Sequence, residues 1–313
     1  MKVITLEEIK ENININEVLS ELKKSFIYYS EKKIICAPIT QTHFPEKNAD
    51  IHIKSGYLKD DKYYYIKIAA GFPENYLKNI SPSQGVIIAL NTATGIPEIL
   101  FNDNGFITDT RTALSASLCA QFFGDKEIQS VGIMGCGIQA YLNAKYLKFI
   151  FPELKKLYIY GRNIEKLKNI QQKFVDLGCA VNLTDDPNVV LINNKIIICT
   201  TSSKEPYLFP EHIIPGTVII ALGADDGIKQ ELSSSVIFQA KNVFVDSLDQ
   251  CLKYGELRHV VKQKPEIQSK VLELGDIFAK NEAYISSESY SVIDLTGLAA
   301  QDIMLSRYII NKL

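Results

Sequence analysis

The segment Val131–Ala140 reads V-G-I-M-G-C-G-I-Q-A. Upstream, from Ile128 to Met134, the residues are β-prone. Downstream, Ala140, Tyr141, Ala144 and Leu147 fall on one side of a helical pattern. Between the two lie Gly135, Gly137 and Ala140, spaced as G-x-G-x-x-A. A strand, a tight turn and a helix in this order frame a dinucleotide-binding unit. Gly135 permits the turn, Gly137 lets the backbone approach a pyrophosphate, and Ala140 lets the helix pack close to the strand. The helix then aims its first N–H groups at the phosphates. A glycine-rich turn in an α/β fold that binds nothing has the same residues, so the strand-to-helix context carries the reading.

The next strand, Leu157–Tyr160, ends in Gly161-Arg162-Asn163. NAD sites hold the ribose 2′-OH with a carboxylate about 20 residues past the glycine turn. Here Gly161 stands at that place, with Arg162 beside it. Nothing repels a 2′-phosphate and an arginine is at hand to pair with it, so charge favours NADP over NAD. A helix over 164–177 and strands at Ala180–Leu183, Lys195–Thr200, Thr217–Leu222 and Val243–Asp246 follow. The loops C-T-T-S-S (199–203) and G-A-D-D-G (223–227) close two of these strands. Loops at the carboxyl ends of parallel strands are where α/β sheets bind ligands. Thr200, Thr201, Ser202 and Gly223 are therefore cofactor candidates, and Asp225 a candidate site carboxylate. An aspartate in a solvated turn is the other reading of Asp225, and the commoner one.

Before the glycine turn the pattern is different. Residues 15–27 read as an amphipathic helix with Asn16 as N-cap and Val18, Leu19, Leu22 and Phe26 as its apolar stripe. Lys33–Ala37 reads as a strand, T-Q-T-H-F-P-E-K-N as a loop, and Tyr63–Gly71 as a strongly alternating strand. In that strand Tyr63, Tyr65, Lys67 and Ala69 share one face. Lys67 is either solvated on an exposed face, which the residues alone favour, or turned into a pocket where burial lowers its pKa. Strands at Gly85–Asn91 and Ile96–Phe101 complete a mostly antiparallel sheet with one helix. A small-residue helix is expected to begin near Arg111, capped from within Ile107–Thr110. A first-turn arginine opposes the helix dipole; it either joins the N–H groups in binding an anion or lies on the surface. The chain closes with a helix over Leu298–Ile310, for which Thr296 is the expected cap.

Bulk composition bounds the function. The chain has 313 residues, 46% hydrophobic and 22% charged, which is globular composition for one large domain or two medium ones. A net charge of −2 with no basic block points away from nucleic acid. No apolar run reaches membrane-span length and the first residues carry no signal-peptide core, so a cytoplasmic protein is expected. The six cysteines form no C-x-x-C pair and the four histidines show no ligand spacing; no structural metal is expected.

Four stretches together resemble the ornithine cyclodeaminase/μ-crystallin family: I-T-D-T-R-T-A-L-S-A (107–116), G-C-G-I-Q-A (135–140), G-A-D-D-G-I-K-Q-E-L (223–232) and D-L-T-G-L-A-A-Q-D (294–302). The resemblance covers nearly the whole chain. It implies an α/β fold with a Rossmann dinucleotide-binding domain (119–295) inserted in an α+β substrate-binding and dimerisation domain (1–118, completed by 296–313), and a homodimer. It implies hydride transfer between Cα of an amino acid, or its imine, and a nicotinamide. Cyclodeaminases return the hydride after ring closure; related members are alanine and opine-type dehydrogenases and ketimine reductases. By resemblance Lys67 and Arg111 bind the substrate carboxylate and Asp225 serves as acid/base at the substrate amine, so Lys67 and Asp225 are the expected catalytic pair. Thr112, Ile138, Gln139, Asn163 and Gly297 join the expected cofactor contacts. The family commonly carries a further carboxylate-binding arginine two residues after an early proline; here the segment is Ala37-Pro38-Ile39-Thr40, and Thr40 takes that place. The leading expectation is an NADP-linked (or NAD-linked) imine or ketimine reductase or amino-acid dehydrogenase. Redox-neutral cyclodeamination of ornithine or lysine is the alternative, and a non-enzymatic, crystallin-like NADP binder the alternative of another class.

Overall fold

The computed structural model describes residues 1–125, 127–282 and 287–313, and of residue 76 the backbone alone. The chain divides into two compact units, Met1–Arg111 with Leu298–Leu313, and Thr112–Gly297. The first division falls inside one continuous helix, Phe106–Phe123, which also contains residue 118. No loop marks that join, so the sequence has no punctuation there.

The first unit runs β1 (Lys2–Thr5), α1 (Leu6–Glu11), α2 (Ile15–Ser30), β2 (Ile34–Cys36), β3 (Thr40–Phe44), β4 (Ala49–Leu58), β5 (Tyr63–Gly71), β6 (Ser83–Asn91), β7 (Pro97–Asn102) and the opening of α3 (Phe106–Phe123). Its sheet has the order β1-β7-β6-β5-β4-β2, with β3 also on β4. All pairs are antiparallel except β1 with β7. The expected stripe of α2 is buried, but its cap is Asn14, whose side chain accepts from the N–H groups of Asn16 and Glu17. The first helix, α1, escaped the sequence reading; Thr5 and Glu8 cap it reciprocally. The stretch expected as a loop after Pro38 forms β3 instead, paired with β4 from Thr40↔Ile53 to Phe44↔Ala49. A 3-10 turn over Pro45–Lys47 and a left-handed Asn48 (φ 45°) turn the chain back. It is a polar strand at the margin of the sheet, so no apolar alternation announced it.

The second unit continues with β8 (Ser130–Met134), α4 (Ile138–Ile150), β9 (Lys156–Tyr160), α5 (Ile164–Val175), β10 (Ala180–Thr184), α6 (Pro187–Asn193), β11 (Ile196–Cys199) and β12 (Val218–Ala221). Then come α7 (Ser234–Gln239), β13 (Asn242–Val245), α8 (Leu248–Cys251), α9 (Leu257–Val261), β14 (Val271–Glu273), α10 (Leu274–Lys280) and β15 (Ser291–Asp294); α11 (Ala299–Lys312) belongs to the first unit. The sheet order is β10-β9-β8-β11-β12-β15-β13-β14, and every pairing is parallel. Its central strands are buried on both faces, which is why they read as unbroken apolar runs. Successive strands step outward from β8 one way to β10 and, from β11, the other way. This reversal between β8 and β11 is a topological switch point, with Gly135 and Thr200 at its carboxyl rim. No described helix is long and apolar enough to cross a membrane.

Candidate active site

In the first unit a carboxylate gathers two cations. Lys67 projects from β5 into the covered face of the sheet beside Tyr63 and Tyr65, and only 3% of it is exposed. The solvated reading of Lys67 is thereby corrected: the helices packed on this face decide its burial. Its Nζ lies 2.7 Å from Asp302 Oδ2. Arg111 Nε donates to the other oxygen, Asp302 Oδ1, at 3.1 Å, and its Nη1 donates to Gln301 Oε1 at 2.7 Å. Gln301 and Asp302 stand in the first turn of α11. Burial first, then the Arg111 guanidinium, pull the Lys67 ammonium from an ordinary lysine value down to about 7, against the pull of Asp302. Burial alone would raise the Asp302 carboxyl, but Arg111 and Lys67 outweigh it and hold it below the ordinary aspartate range. Lys54 stands directly opposite Lys67 in the β4–β5 register and on the same face, also buried.

Arg111 is not in the first turn of its helix. The helix opens at Phe106, where Asp103 Oδ2 accepts from the Ile107 N–H at 2.7 Å, so the cap lies upstream of the expected 107–110. Five residues in, Arg111 no longer opposes the dipole at the terminus, and its reason for being there is Asp302. Thr40 pairs with Ile53 and is exposed, on the sheet face away from Lys67. Its neighbour Gln41 shares the Lys67 face and lies 3.1 Å from the buried His52.

In the second unit the glycine turn has the expected build. Gly135 is at φ +125°, and a Cβ there would come within 2.5 Å of Thr200 Oγ1. A Cβ on Gly137 would meet nothing within 4 Å, and no side chain caps α4, whose first residue Ile138 is 47% exposed. A backbone open on that side, at a helix N-terminus, fits a bound diphosphate. At the end of β9, Gly161 packs against Leu167, Arg162 is exposed, and Asn163 caps α5 by accepting from the Lys166 N–H. Among the described residues Arg162 is in none of the ion pairs within 4.0 Å. Asp225 is half-exposed, 2.7 Å from Lys229 Nζ. Thr296 does not cap α11: it donates to Asp246 at 3.0 Å, and the Gly297 N–H donates to the same carboxylate at 2.6 Å. Thr112 is half-buried in α3, Gln139 half-buried in α4, and Ser202 exposed.

Sequence reasoning gave no role to Gln301, Asp302, Glu231 or Glu256. Glu231 is fully buried: its Oε1 accepts from the Thr201 N–H (2.7 Å), the Thr201 hydroxyl (2.7 Å) and the Tyr207 hydroxyl (2.8 Å), and its Oε2 from the Gly223 N–H (2.8 Å). Burial pushes its carboxyl up to about 7 in spite of these donors. Glu256 in turn accepts from the N–H groups of Glu231 and Leu232. The available signal was charge placed within apolar stretches, Q-D inside the last helix and E-L after the G-A-D-D-G turn.

One unit with a parallel sheet and a glycine turn at its switch point, and another with a buried cation–carboxylate cluster, define a two-unit α/β protein of dinucleotide-binding type. The chain belongs to the ornithine cyclodeaminase/mu-crystallin family, whose model matches residues 1–313. It is 28% identical over 268 residues to an uncharacterized cyclodeaminase of Sinorhizobium fredii, covering 85% of this chain and 81% of that one. It is 26% identical to a delta(1)-pyrroline-2-carboxylate reductase of Bacillus cereus, covering 100% and 96%. Its structure matches an archaeal alanine dehydrogenase dimer with bound NAD at a TM-score of 0.87 and 25% identity, over 99% of this chain and 95% of that one.

Proposed function

We propose that this protein is an NAD(P)-dependent enzyme acting at the C–N bond of an amino acid, and that its net reaction is reduction of an imine or ketimine acid. The observation that carries this reading is the convergence of Lys67 and Arg111 on Asp302. Two buried cations meeting one carboxylate leave the cluster with positive charge beyond what Asp302 neutralises, which favours a substrate carboxylate there. Held by that carboxylate, a substrate has its Cα fixed in one orientation. The bound nicotinamide cofactor supplies the hydride. Asp225, 2.7 Å from Lys229 Nζ, is the group we assign to proton transfer at the substrate nitrogen.

The diphosphate is held by the turn from Gly135 to Gln139 and the N-terminus of α4. Arg162, exposed beside Gly161, pairs with a 2′-phosphate, which favours NADPH. The similarity to a cyclodeaminase supports a second reading, redox-neutral ring closure of a diamino acid with loss of ammonia. We also propose a homodimer. One face of the first unit's sheet carries Ile51, Ile53, Ile66, Ile68, Val86 and Ile88 in paired register, all only half-buried in the single chain. Light scattering tests this: a single-chain mass in solution refutes it.

Nicotinamide absorbance is the deciding measurement. Purified protein is given NADPH or NADH with cyclic ketimine acids, or with 2-oxo acids and ammonia. Oxidation of the cofactor is the expected outcome, faster with NADPH. A flat trace with every substrate, together with ammonia released from L-ornithine or L-lysine at catalytic cofactor, would replace reduction with cyclodeamination.

A further inference from the structure

We infer that Glu231 is a positioning residue for the cofactor crevice, an assignment that rests on the reading of the second unit as the cofactor unit. Its carboxylate ties together two loops that leave adjacent parallel strands. Three donors on Oε1 come from the loop after β11, through both the N–H and the hydroxyl of Thr201 and the hydroxyl of Tyr207. The donor on Oε2, the Gly223 N–H, comes from the loop after β12, two residues before Asp225. The β11 loop is tied onward to the glycine turn, since Thr200 donates through both its N–H and its hydroxyl to Met134 O, the last residue of β8. One path of hydrogen bonds therefore runs from the glycine turn through Thr200, Thr201 and Glu231 to Gly223 and the Asp225 turn.

The clamp also accounts for Gly223. A Cβ there would lie 2.1 Å from Thr201 O and 2.3 Å from Glu231 Oε2. The residue is glycine because the two loops close on each other at that point, not because a ligand must approach its backbone. Glu231 is itself held from behind, where Glu256 accepts from its N–H at 2.6 Å. A buried carboxylate with four donors is hard to replace. Glutamine at 231 has one oxygen and one NH2, so a donor must face either Gly223 N–H or the Thr201 and Tyr207 donors.

Steady-state kinetics of the full chain test the assignment. Glu231→Gln is expected to raise the KM for NADPH about tenfold, the scale of a lost hydrogen bond to a charged group, and to leave the substrate KM within about twofold, because Lys67 and Arg111 belong to the other unit. Tyr207→Phe removes one donor of four and should raise the cofactor KM about two- to threefold; it decides the matter if Glu231→Gln does not fold. Tyr290→Phe is the control. It removes a buried hydroxyl bond to Val236 O elsewhere in the same unit, and should lower Tm without moving the cofactor KM. A wild-type cofactor KM in both the Glu231 and Tyr207 variants overturns the assignment. So does a Tyr290→Phe protein whose cofactor KM rises as far as that of Glu231→Gln. Wild-type protein that neither binds nor oxidises NADPH or NADH overturns the cofactor reading itself, and this assignment with it.

Discussion

The two units each bury a carboxylate, and they solve the cost of doing so differently. In the first unit Asp302 is surrounded by cations, and its carboxyl is held below its ordinary range. In the second, Glu231 is surrounded by N–H and O–H groups, and its carboxyl rises to about 7; Asp294, at the end of β15, rises to about 7 for the same first reason, burial. Hydrogen-bond donors satisfy an anion's lone pairs but cancel none of its charge, so burial still favours the protonated form. A cation pair cancels the charge outright. The first arrangement therefore leaves spare positive charge that a substrate anion can use. The second leaves no spare cation, only a carboxyl group hydrogen-bonded to two loops and suited to holding them.

The largest expected effect breaks the cationic knot. Asp302→Ala leaves Lys67 and Arg111 buried without their shared partner, and should cost about 3–5 kcal/mol of stability, read as a lower urea midpoint. A loss under about 1 kcal/mol would mean that the two cations find other partners and that the contrast is false. Next in size, Lys67→Ala should lower kcat/KM about 100-fold, while costing less stability than Asp302→Ala, because Arg111 still pairs with Asp302. Wild-type turnover in that variant would remove Lys67 from the site.

Arg162→Ala follows, with an expected rise of about tenfold in the NADPH KM and none in the NADH KM. Equal effects on the two cofactors would refute the 2′-phosphate reading. The smallest effects are those of pH, and they should run in opposite directions. Lys67 falls from 10.5 to about 7. It is charged below pH 7 and loses its proton above, so substrate KM should climb as pH rises past about 7, and Lys67→Arg should abolish the climb. In folding, the unfolded chain holds that proton up to 10.5, so the Lys67 contribution to stability grows as pH rises from about 7 toward 10.5. Glu231 and Asp294 rise from 4.5 and 3.8 to about 7. The native state then binds protons that the unfolded chain has released, and their contribution is lost as pH rises from about 4 through about 7. Urea midpoints against pH, with Glu231→Gln flattening the lower slope, test the second half.

Features legible in the chain were local and periodic. The turn at 135–140, the stripe of α2, the alternation of β5 and the apolar runs of the parallel strands each state themselves within about ten residues. Features that were not legible depend on partners far along the chain. Arg111 looked like a first-turn helix residue because the cap was sought within Ile107–Thr110, downstream of Asp103. Strand β3 looked like a loop because a polar marginal strand has no buried face. Strand β15, as long as β11, β12 and β13, went unmarked in the chain, yet it sits between β12 and β13 in the sheet. Asp302 was quoted within a motif and given no work.

By itself the sequence determined the parallel dinucleotide-type sheet, the preceding antiparallel one and the order in which they come, because hydrophobic period and glycine placement are properties of neighbouring residues. Only the tertiary structure decided that Lys67 is buried, that Arg111 serves Asp302 across 191 residues of chain, and that Glu231 joins two loops. Each of these depends on which face another element covers. Burial and long-range pairing set the charge of an ionisable group, and neither is written in the residues beside it.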